Sequence, residues 1–191
     1  MTKHSSYIHS VIDKVLDFNN SIAGLQEPIY IVPNEMIREK HPKYDEIVFW
    51  KPTPANISQA NFLAYENKIG FTLPDTYKDF LSYKYFISLN FGHEAIFFRH
   101  TSSWAEDYYE IIENYGFENI LERGLIPFAN DTDQGLFCFD TNNVLFDNEY
   151  RIVTYDKNFE EQCYGQFTFI ELIEELEQRL DEWKQRRLAD N

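Results

Sequence analysis

Apolar residues at Ile8, Val11, Ile12, Val15 and Leu16 recur with the spacing of one helical face and predict a helix over Tyr7 to Phe18. Pro28-Ile-Tyr-Ile-Val32 reads as a short strand, and Asn34 as the cap of a helix running to about Lys40, stopped by Pro42. Ser58 caps a further helix that ends at Gly70. Tyr85 to Phe91 and Ala95 to Arg99 are rich in aromatic and β-branched residues around an Asn90-Phe-Gly-His93 turn, which predicts a hairpin. Helical spacing returns from Ser103 to Tyr115. Three strands follow near Leu125–Phe128, Leu136–Asp140 and Tyr150–Tyr155. The chain closes on a helix whose apolar stripe is Phe169, Ile173, Leu176, Leu180 and Trp183. Its last turn carries Lys184, Arg186 and Arg187, which complement the helix dipole. The stripe is too short for a convincing coiled coil. Helices flanking one antiparallel or mixed sheet make this an α+β fold, and the length fits a single domain.

The segment Glu66-Asn-Lys-Ile-Gly-Phe-Thr-Leu-Pro-Asp-Thr-Tyr-Lys-Asp-Phe-Leu81 is the most informative. Gly70 can enter the left-handed conformation that closes a helix, Pro74 has no amide hydrogen to lose at a helix start, and Asp75 suits the positive end of the dipole. Ile69, Leu73, Tyr77, Phe80 and Leu81 supply apolar faces. A helical hairpin of any α+β domain would use such residues, but their order resembles the SUKH superfamily. That superfamily is known from a yeast cell-wall synthesis regulator and from bacterial toxin-immunity proteins.

Further segments are similar to it. Leu125-Ile-Pro-Phe-Ala-Asn-Asp-Thr-Asp-Gln-Gly-Leu-Phe-Cys-Phe-Asp140 looks like its strand, turn and strand, although a second glycine is frequent where this chain has Asp-Thr-Asp-Gln. Asn34 to Asp45, Phe49-Trp-Lys-Pro52, Arg151 to Asp156 and Phe167-Thr-Phe-Ile-Glu-Leu-Ile173 extend the likeness over roughly residues 34 to 176. The resemblance implies a SUKH-like domain over 34–191. Residues 1–33 would be an extension of helix and strand packed on that domain.

Composition narrows the chemistry. Seventeen Phe and 13 Tyr against only 7 Gly and 7 Pro argue for a packed core. No stretch of about 18 apolar residues occurs, and the first residues lack the apolar run of a secretory signal. Cys138 and Cys163 have no C-x-x-C spacing and read as thiols of a cytoplasmic protein. Net charge is −15. Residues 122 to 191 hold 16 Asp+Glu against 7 Lys+Arg, the most acidic third. Such a field repels phosphates, so nucleic acid is an improbable partner, while encounter with a basic protein is favoured. Acidity also serves solubility.

Neither a nucleophile elbow nor a phosphate loop nor a dinucleotide fingerprint occurs. His4, His9, His41, His93 and His100 are scattered; His93 and His100 could meet across the hairpin, yet no ligand spacing accompanies them. Asp131-Thr-Asp133-Gln-Gly135 lacks the acids of a calcium loop at the required positions. No catalytic residue, cofactor or metal is expected, and the chain reads as a non-enzyme.

Between His100 and Glu122 there is no Lys or Arg, and acids alternate with rings: Trp104, Glu106, Asp107, Tyr108, Glu110 and Glu113. Aromatic anchors rimmed by carboxylates would suit a basic protein surface. The same spacing fits an amphipathic helix with Trp104 or Tyr108 turned to the core. Asp131 and Asp133 form a second candidate, or a solvated loop. The resemblance implies an immunity protein that occludes a basic toxin domain, often a nuclease, with the chain a monomer or homodimer. The alternative it implies is a regulator or scaffold of the cell-wall type with several clients.

Overall fold

In the computed structural model, which describes residues 2–92, 94–108, 119–131, 135–146, 148–156, 161–163 and 167–189, the second half of the chain builds the main sheet. Its strands are β6 (Leu89–Asn90), β7 (Ala95–Phe97), β8 (Leu125–Asp131), β9 (Gly135–Phe146), β10 (Glu149–Asp156) and β11 (Glu161–Cys163). They lie side by side in that order, each antiparallel to its neighbour. Upstream, β1 (Gln26–Pro28), β2 (Ile37–Lys40) and β3 (Ile47–Trp50) form a small sheet ordered β1-β3-β2, and β4 (Thr53–Pro54) pairs with β5 (Lys84–Tyr85). The fold is α+β.

Among the described residues, these strands are flanked by helices α1 (Ser5–Ala23), α2 (Gln59–Ile69), α3 (Asp75–Leu81), the segment 104–108 (α4) and α5 (Phe169–Ala189). Ser58 and Asn61 make a reciprocal capping box at the start of α2. Gly70 ends that helix at φ 79°, ψ 10°, its amide donating to the Glu66 carbonyl. Thr168 and Glu171 cap α5 in the same reciprocal way.

The sheet and helices meet in an aromatic core. Phe128 of β8 stacks on Phe139 of β9 at 4.3 Å, Phe80 of α3 lies 4.9 Å from Phe97 of β7, and Phe169 of α5 sits edge-on to Tyr77 and Phe80 at 5.2 and 5.4 Å. Such pairs add about 0.5–1.5 kcal/mol each beyond burial. The stripe of α1 enters the same core: Ile8, Val11, Ile12, Val15 and Leu16 are buried. Polar ties fix that helix further, Lys14 to Glu177 and Asp181 at 2.7 and 2.6 Å, and Ser5 to Asp79. Val48 and Trp50 of β3 are also fully buried, so residues 26–50 share this core.

Two predicted elements take a different form. The segment from Asn34 is a single 3-10 turn, Asn34–Met36, followed by strand β2, where a helix to Lys40 was expected. Seven residues are too few for a helix to hold by itself, and β3 offers a ladder in which Ile37, Glu39 and Lys40 oppose Trp50, Phe49 and Val48. The strand expected over Pro28–Val32 is confined to Gln26–Pro28, with a 3-10 turn at Ile29–Ile31.

Candidate functional site

The aromatic residues of the acidic stretch are turned inward. Trp104 and Tyr108, one helical turn apart, are buried against α2: Trp104 lies 4.6 Å from Tyr65 and 5.8 Å from Phe62, and Tyr108 meets Tyr65 edge-on at 5.3 Å. Burial holds the Tyr108 phenol well above its ordinary pKa. Asp107 is buried too, paired with Arg99 at 2.6 Å and accepting from Thr101 Oγ1 at 2.7 Å. In this structure these three side chains are therefore buried. The α2 rings Phe62 and Tyr65 cover Trp104, and Tyr65 covers Tyr108. Glu106 is exposed and Asp131 is half-buried at the end of β8. Glu110, Glu113 and Asp133 lie outside the described residues.

His100 is buried, its Nε2 at 2.6 Å from the Leu81 carbonyl, and burial lowers its pKa to about 4. The ring is thus neutral with Nε2 donating. His93, the residue expected to approach it, lies outside the described residues. Cys138 is a buried thiol in β9. Among the described residues, no group of three or more His, Cys, Asp or Glu is placed to hold a metal ion, and no helix is long and apolar enough to cross a membrane.

A different surface carries exposed apolar residues. Strand β9 runs past Asp140 to the tip of a hairpin, where Val144, Leu145 and Phe146 are 60%, 36% and 57% exposed. Asn148 takes φ 64°, and β10 returns with Glu149 opposite Phe146. Beside this tip is a cavity of about 630 Å³, lined by Phe146 and Glu149, by Lys3 and His4, by Asp75 of α3, and by Glu171 and Glu174 of α5. A signal for the arm exists in the sequence, an apolar triplet directly before Asp147-Asn148, but a run of that kind reads equally as core.

The carboxylates of this cavity differ from buried acids elsewhere. Glu66 is paired with Lys78 at 2.8 Å and Asp140 with Arg151 at 2.7 Å. Glu149, 5% exposed, accepts from Thr76, through the amide at 3.1 Å and the hydroxyl at 2.8 Å. Burial raises its pKa and the Thr76 bonds oppose the rise. Glu149, Glu171 and Glu174 make no ion pair with Lys or Arg among the described residues.

No curated protein matches the chain. The SMI1 / KNR4 family (SUKH-1) matches residues 56–184, from just before α2 into the last turns of α5, and so takes in the central sheet. The chain belongs to the SMI1 / KNR4 family (SUKH-1), whose domains serve a general protein-binding role of immunity or regulatory kind.

Proposed function

We propose that this chain is a cytoplasmic immunity protein that neutralises a cognate bacterial toxin domain by covering its basic, substrate-binding surface. The observation that carries the reading is the net charge of −15 on a protein-binding fold. Toxin domains that bind nucleic acid present cationic faces, and an acidic inhibitor competes with phosphates for them. The chain makes and breaks no bond in this mechanism. It acts by stoichiometric occlusion, for which an interface of about 1,600 Å² suffices for nanomolar or tighter affinity. Long-range attraction raises the encounter rate, by about 10- to 1,000-fold in steered pairs.

The test reads the adjacent open reading frame and co-expresses this chain with a toxin domain found there. Growth rescued by this chain, with the two proteins co-purifying at one to one, supports the reading. Toxicity undiminished by a well-expressed chain removes it. Capture of several unrelated host proteins in place of one toxin would favour a regulator.

A further inference from the structure

We propose that the exposed end of strand β9, Val144 to Phe146, and the cavity beside Phe146 form the docking surface for that basic partner, with Phe146 as the apolar anchor and a partner Lys or Arg side chain entering the cavity. The inference rests on the protein-binding reading above and names its surface.

Three observations converge on it. Val144, Leu145 and Phe146 are the only three consecutive exposed large apolar residues among the described ones. They add nothing to the core that their exposure would explain, and exposed apolar runs rimmed by polar groups mark interaction sites. Glu149 is the cross-strand neighbour of Phe146, and a register shift separates this pair from Val144 opposite Tyr150. An aromatic ring beside a carboxylate suits a side chain with an apolar stem and a cationic head, the ring taking the stem or the cation and the carboxylate taking the charge.

The charge balance decides between a cation and an anion as occupant. The N-terminal turns of α1, α3 and α5 open onto the cavity, and their dipoles by themselves favour an anion. Those amides are already answered from within the chain: Glu149 accepts from Thr76 N, Glu171 from Thr168 N, and Asp79 from Thr2 N. Among the described lining residues, Asp75, 3.4 Å from Lys78, and Glu174 add two further carboxylates, against one full cation, Lys3. The surplus is negative, so the complementary occupant is a cation.

The test uses the full-length chain. Phe146 is exposed, so Phe146→Asp leaves the core intact, which an unchanged melting temperature verifies. With the cognate toxin domain, Phe146→Asp and Glu174→Lys are each expected to weaken binding by about tenfold or more, whereas Glu106→Lys on α4 changes it by less than about threefold. If the wild type binds and both variants bind as tightly, the docking surface is refuted while the immunity reading stands. If the wild type binds no toxin, that reading falls, and a direct probe still judges the cavity. The labelled chain is titrated with an acetylated, amidated Leu-Arg-Leu-Arg-Leu peptide and separately with inorganic phosphate. Saturable shifts at Phe146, Glu149 and Glu174, lost in Phe146→Asp, support the site. Shifts spread over the acidic surface, or the same shifts with phosphate, overturn it. A dimer of the wild type that Phe146→Asp dissociates would make a second copy the occupant and overturn it as well.

Discussion

His100 shows how a single side chain ties fold to solution behaviour. Its ring lies 2.6 Å from the Leu81 carbonyl, and burial lowers its pKa from 6.5 to about 4. The unfolded chain therefore binds a proton on this residue below about pH 6.5 that the folded chain refuses until about pH 4. Stability from this group is complete above the unfolded value and is lost as pH falls through the window, by up to about 3 kcal/mol. Urea denaturation of the wild type and of His100→Gln across that range is expected to show the steeper decline in the wild type. Parallel curves would show that His100 is not neutral in the fold. The inward rings of the acidic stretch belong to the same scale. Spacing puts Trp104 and Tyr108 on one side of a helix, but only the position of Phe62 and Tyr65 decides whether that side meets water or core.

At the level of elements, periodicity was a good guide where one face of a long segment is buried. The stripes of α1 and α5 and the three strands β8 to β10 follow the apolar pattern, because burial against a common core imposes the same period that the chain displays. It failed over Asn34 to Lys40, where a cap residue suggested a helix and the edge of β3 supplied a ladder invisible from the segment alone. The far end of β9 was missed for another reason: Val144 to Phe146 has no alternation, and only the turn at Asn148 shows that the strands continue. The α2–α3 break was legible because it depends on local chemistry. Gly70 sits at φ 79° with nothing within 4 Å of where a Cβ would lie, so Gly70→Ala meets a backbone cost and no clash. A loss of about 1 kcal/mol is expected, about 2–4 °C in melting temperature. No loss would mean the helix end relaxes freely.

For the whole molecule, the family match begins at residue 56, yet the core does not. Helix α1 buries Ile8, Val11, Ile12, Val15 and Leu16, and five such side chains, at about 1.5–3 kcal/mol each, rival the about 5–15 kcal/mol net stability of a domain. Deleting residues 1–33 is expected to abolish the cooperative thermal transition. A folded 34–191 fragment would make the N-terminal segment an independent extension. Charge also acts at this scale, since −15 on 191 residues gives a field felt beyond any one contact.

The most direct measurement is the association rate of the chain with the proposed toxin partner as salt is raised. The account predicts a rate that falls steeply with ionic strength, while dissociation changes little, because attraction over about 8–10 Å is what salt removes. A rate independent of salt would contradict capture of a cationic partner by an anionic protein.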